Sequence, residues 1–90
     1  MMWVIAYDIQ SHRTRRRVAR RLERLGFRRQ ESVFEGEAAL EDINTLLDEL
    51  ALELDPNADQ LTAWPVQAQY TDILHRGRPR PDLHRPWTLI

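Results

Sequence analysis

The sequence predicts an α+β domain in the order βαββαβ, with a short extra strand at the end. Three observations carry this. Residues 3–9 form an apolar run with β-branched and aromatic members, residues 12–25 and 38–54 carry helical stripes, and short strand-like segments fall between Gly and Pro breakers. Ninety residues make one domain. At this size folding buries only roughly 60–65% of the unfolded chain's surface, so the core is thin.

Residues 3–9, Trp-Val-Ile-Ala-Tyr-Asp-Ile, read as a buried strand ending on one carboxylate, Asp8. Ser11 is placed to cap a helix over 12–25, with Val18, Leu22 and Leu25 as its core stripe. Gly26 stands where a left-handed residue ends a helix, and Phe27 can fold back on the last turn. Residues 27–30 and 32–35 are strand candidates. They are either two arms of a hairpin or one long strand broken near Glu31, and Gly36 marks a bulge or turn.

The second helix, over 38–54, shows an apolar stripe of Leu40, Ile43, Leu47, Leu50 and Leu54. Glu41 and Asp42 fall in its first turn, where the helix dipole favours anions, and Pro56 and Asn57 stop it. Residues 59–66 read as a strand with Leu61, Ala63 and Pro65 on one face, and Pro65 marks its exit. Residues 67–86 contain Gly77, Pro79, Pro81 and Pro86 and read as a linker or extended arm. The apolar end, 87–90, is a terminal strand candidate that needs a sheet edge, expected on a partner subunit. The organisation is thus one domain core over 1–66 with a C-terminal arm over 67–90. Two helices on one face of an antiparallel sheet make the ferredoxin-like arrangement. The other face is left open, so a homodimer packed sheet to sheet is expected.

The net charge of −1 conceals strong segregation. All 13 basic residues are arginine, and nine of them lie between Arg13 and Arg29, where Glu23 is the only acid. From Gln30 to His75 there is no Arg or Lys but there are eleven acids. A near-neutral chain with one basic face can hold phosphates there, and arginine favours bidentate phosphate contact. Arg13, Arg16, Arg17, Arg20 and Arg24 share a broad helix surface suited to sequence-independent contact with a nucleic-acid backbone. Absence of cysteine excludes disulfides and thiolate metal sites. No segment is apolar enough to span a membrane, Met1-Met2-Trp3 lacks the basic start of a signal peptide, and the chain reads as cytoplasmic. His12, His75 and His84 show no metal-ligand spacing, and there is no nucleophile motif or phosphate-binding glycine loop.

Tyr7-Asp8-Ile9, the run from Arg15 to Val18 with Leu22 and Gly26, and the segment Gln30-Glu-Ser-Val-Phe-Glu-Gly36 resemble one family. It is the small CRISPR-associated proteins of the Cas-two family, partners of the spacer integrase. The resemblance covers residues 1–66 in order and spacing, and the end at 87–90 is similar to the family's exchanged terminal strand. It implies a ferredoxin-like homodimer that bridges integrase dimers and grips spacer-precursor duplex DNA. Some members are metal-dependent nucleases on single-stranded RNA or double-stranded DNA. The family's active-site positions carry over to Tyr7, Asp8, Arg15, Arg17, Arg28 and Phe34. Glu31 departs from the pattern, standing where many members have an aromatic residue.

Mg²⁺ (or Mn²⁺) takes oxygen ligands and often only one or two carboxylates. One Asp8 per chain is too few, but a two-fold axis near the end of the first strand would bring two together, placing the metal at the dimer axis. Strand alternation sets Tyr7 and Asp8 on opposite faces, and Phe34 is read as core or dimer packing. Three functions share this reading. One is a CRISPR adaptation subunit binding duplex DNA, with a latent Mg²⁺-dependent endonuclease. Another is a free-standing endoribonuclease. The last is a purely architectural DNA-binding dimer with a structural Asp8.

Overall fold

The computed structural model describes residues 1–31, 33–67 and 73–79. Five strands and two helices follow in the order β1 (Met2–Asp8), α1 (His12–Arg24), β2 (Arg28–Gln30), β3 (Val33–Glu37), α2 (Leu40–Ala51), β4 (Gln60–Pro65) and β5 (Leu74–Gly77). They form one sheet in the order β2-β3-β1-β4-β5, every pair antiparallel. The most apolar strand, β1, lies at the centre, where both edges of its backbone are satisfied. The predicted ferredoxin-like α+β class is the class observed.

Alternation along β1 sorts the sheet into two faces. Trp3 and Ile5 point to the helices and join Phe34, Leu61 and Ala63 of the neighbouring strands. Val18 and Leu22 of α1 and Ile43, Leu47 and Leu50 of α2 close that core, all without solvent exposure. The Trp3 indole N–H donates to the Ala38 carbonyl at 3.0 Å, so a large ring is buried with its polar atom satisfied. A smaller cluster of Ala6, Val33 and Trp64 occupies the other face, with Val4 and Ile73 against it.

Both ends of α1 follow the sequence. Ser11 Oγ accepts from the Thr14 amide at 3.2 Å. Gly26 adopts φ +94°, while the Phe27 and Gly26 amides donate back to the Leu22 and Glu23 carbonyls. That pair of bonds is a Schellman cap. Leu25 was expected in the core stripe but is 53% exposed. The cap turns the chain outward there, and Phe27 takes the buried place instead.

Three other expectations need correction, and the choice between hairpin and single strand is decided. Helix α2 starts at Leu40 and ends at Ala51, shorter than 38–54, and Leu46 joins its buried stripe while Leu40 lies at the surface. Residues 28–37 form a hairpin, in which Gln30 pairs with Val33 and Glu31 takes φ +53° at the connection. Gly36 is neither bulge nor turn. It pairs with Trp3 inside β3, and a Cβ there would meet the Phe27 ring at 2.5 Å, so the glycine is a seat for that ring. Finally, the stretch 67–86 contains a strand: β5 pairs with β4 of the same chain. The strand candidate at 87–90 lies outside the described residues.

Candidate nucleic-acid interface

Helix α1 packs Val18 and Leu22 on the sheet, so the opposite side of the helix points to solvent. At 3.6 residues per turn, Arg13, Arg16, Arg17, Arg20 and Arg24 fall within an arc of about 100° opposite that core stripe. All five are exposed. The side chains of Arg13, Arg16, Arg20 and Arg24 make no hydrogen bond or ion pair among the described residues. The fifth is engaged: Arg17 Nη1 lies 3.2 Å from Glu53 Oε1, beyond the end of α2. Arg21, at the border of the arc, pairs with Glu49. The arc therefore combines four unpaired guanidinium groups with one held by a carboxylate. With a rise of 1.5 Å per residue it runs about 16 Å along the helix axis.

Arg15 leaves this surface. Its guanidinium donates from Nη1 to the Ile9 carbonyl at 3.0 Å, and Nη2 lies 2.9 Å from His12 Nδ1. It ties the first turn of α1 to the end of β1. Tyr7 lies on the helix side of the sheet and stacks on Phe34, with ring centroids 6.1 Å apart. The Arg29 guanidinium lies 5.6 Å above the Phe34 ring. Phe34 is 1% exposed, a core residue as the sequence suggested and no platform for a base. The sequence reading does not single out Arg29; the resemblance points to its neighbour Arg28. Strand alternation puts Arg28 opposite Glu35 on the helix-free face and Arg29 opposite Phe34.

Burial raises the Tyr7 phenol above its ordinary value, against the lowering effect of Arg29 and Arg15, with Glu23 adding to the rise. A raised folded value means that the folded chain holds the proton more tightly than the unfolded chain. The resulting stabilisation is present below the unfolded pKa of about 10 and is lost as pH rises through the folded value. Tyr7→Phe should therefore flatten the alkaline limb of the melting temperature above about pH 10 and leave neutral pH unchanged. Identical limbs in the two proteins would contradict this.

Asp8 occupies the other face of the sheet, paired in register with Gln60. Tyr7 and Asp8 are thus opposed, as alternation requires. The Asp8 carboxylate is about half exposed and faces Arg78, whose Nη2 lies 3.2 Å from Oδ2. Gln10 Nε2 approaches Oδ1 at 3.5 Å. Arg78 is itself fixed: its amide donates to the Asp59 carbonyl, its Nε to Ala58, and its own carbonyl accepts from Gln60 Nε2 and His75 Nε2. Behind this lies Asp59, 3% exposed, which accepts from the Gln10 and Asp55 amides at 2.9 Å each. It joins the end of β1 to the turn before β4, a role that its exposed-looking sequence context (Pro-Asn-Ala-Asp) did not reveal.

The six positions carried over from the family therefore do not converge within one chain. Tyr7 and Phe34 are in contact and Arg15 lies nearby; Arg17 belongs to the outer helix surface; Asp8 and Arg28 belong to the helix-free face. Among the described residues no three His, Asp or Glu side chains are grouped to hold a metal. One half-exposed carboxylate against a guanidinium does not fit Mg²⁺ by itself. Asp8 lies on the helix-free face of the sheet, whereas the arginine arc lies on the outer side of α1.

A small ferredoxin-like α+β protein with a cationic outer helix and no grouped metal ligands among its described residues is the class defined by this fold and surface. The chain belongs to the family of the CRISPR associated protein Cas2, whose pattern it matches over residues 1–72. It is similar to a solved hypothetical protein, TT1823, from Thermus thermophilus, at 32% identity and TM-score 0.66, covering 77% of this chain and 84% of that one. Cas2 of Streptococcus pyogenes shares the fold at TM-score 0.65 and 23% identity, covering 77% of this chain and 89% of that one. No curated protein matches the chain. No described helix is long and apolar enough to cross a membrane.

Proposed function

We propose that this protein binds duplex DNA through the outer face of α1 and serves as the DNA-holding subunit of CRISPR adaptation, working as a homodimer between integrase dimers. The observation that carries the reading is the row of four unpaired, exposed arginines on one helix face, Arg13, Arg16, Arg20 and Arg24. Such a row neutralises phosphates without reading bases, which suits a protein that must accept spacer precursors of any sequence. Family membership supplies the CRISPR context. A second copy would pack on the helix-free face of the sheet, over the cluster of Ala6, Val33 and Trp64 that the single chain already buries.

The nuclease reading asks for more than one chain supplies. A second Asp8 would have to be brought across a two-fold axis, and Arg78 would have to release the carboxylate that it now faces. Incubating wild-type protein and Asp8→Asn with labelled duplex DNA and single-stranded RNA, in Mg²⁺ and in EDTA, tests both readings together. Both proteins should bind duplex equally and without need of metal. Cleavage that requires both Mg²⁺ and Asp8 would establish the endonuclease. Failure of the wild-type protein to bind duplex at low salt would remove the proposed function.

A further inference from the structure

We propose that Glu53 and Glu49 set how tightly the α1 face holds a polyanion, by competing with phosphate for Arg17 and Arg21. The inference rests on duplex binding by that face. Its geometric basis is that Glu53 belongs to the surface itself and Glu49 holds an arginine that does. Arg17, Arg20, Arg21 and Arg24 line one shallow groove between the helices, and Glu53 lies within the same groove. Arg17 falls inside the arc of unpaired arginines, yet its Nη1 is 3.2 Å from Glu53 Oε1. Arg21 at the arc's border is held by Glu49.

Both pairs are solvent-exposed, with side chains between 34% and 54% accessible. Exposed pairs of this kind hold their partners weakly, so they do not lock the arginines away. A phosphate can displace the carboxylate, but the displaced acid stays beside it and repels it. The two acids thus lower the number of phosphates neutralised at equilibrium and soften the grip. Asp48 and Asn44 of α2 are occupied differently: they bind Arg76 of β5 and lie outside the groove. The acidic second helix therefore has two jobs in two places, and only its C-terminal end faces the phosphate surface.

The test is equilibrium binding of a fluorescent 20-base-pair duplex by wild-type protein, Glu53→Gln, Glu49→Gln and the double variant, at 50 and 200 mM salt. Each released arginine should make the slope of log affinity against log salt more negative by about 0.9. The affinity lost over that fourfold range should therefore grow by about 3.5-fold per substitution, with tighter binding at 50 mM. Adding Arg17→Ala to Glu53→Gln should return the wild-type slope. Glu53→Ala serves as a second variant that also frees Arg17. Wild-type binding with unchanged slope and affinity in every Glu variant would overturn the inference while leaving duplex binding intact. Absence of wild-type binding would instead overturn the reading on which it rests.

Discussion

Arg16→Glu with Arg20→Glu should lower duplex affinity on the order of 100-fold at about 100 mM salt, with no loss of fold. Each substitution removes one charge-assisted phosphate contact and puts a like charge beside its neighbours. Neither residue has a partner among the described residues, so nothing in the protein is left unpaired. The double reversal also thins a crowded row of guanidinium groups, and the melting temperature should hold or rise slightly. Arg15→Ala is the instructive contrast. It should weaken binding far less but lower stability, because Arg15 donates to the Ile9 carbonyl and not to solvent. Fluorescence anisotropy paired with thermal melts separates the two. Equal affinity in wild type and the double reversal would show that the duplex is held elsewhere.

The largest effect on stability is expected at Gly77. Gly77→Ala would put a Cβ 2.0 Å from the Asp59 carbonyl oxygen at φ +94°, a conformation that side chains rarely adopt. That carbonyl is fixed by the Arg78 amide, and its residue is fixed by the amides of Gln10 and Asp55, so the obstacle is backbone and cannot rotate away. The end of β5 must then leave β4, taking Arg78 from Asp8. A loss on the order of 3 kcal/mol follows, and a domain of this size loses about 4–8 °C of melting temperature per kcal/mol. Gly26→Ala shares the positive φ of +94° but meets nothing within 4 Å, and should cost only about 1–2 kcal/mol. Equal costs at the two glycines would refute the assigned close approach.

Much of this molecule could be read from its residues, and the parts that could not have physical causes. The central strand, both helices and β4 announce themselves through runs and stripes long enough to have one period. The capping serine and the glycine of α1 fix its ends because each satisfies a definite backbone need. Strand β5, Leu-His-Arg-Gly, has no such signal. It is four residues long, half polar and followed after Arg78 by Pro79, and it exists because β4 offers it an edge. The arginine face was visible as a charge pattern, since a helix wheel is set locally. Its ion pairs were not, because Arg21 to Glu49 and Arg17 to Glu53 span 28 and 36 residues. The partner of Asp8 is 70 residues away. The distinction between Arg28 and Arg29 depends on hairpin register, which the two readings of residues 27–35 left open.

The separation of the proposed phosphate-binding face of α1 from Asp8 is the centre of this account. It is tested most directly by the salt dependence of duplex binding by the wild-type protein in EDTA. If Arg13, Arg16, Arg20 and Arg24 each neutralise a phosphate, log affinity should fall against log salt with a slope of about −3.6 or steeper per chain, and Asp8→Asn should reproduce it. Binding that requires Mg²⁺, or that is insensitive to salt, would contradict the account.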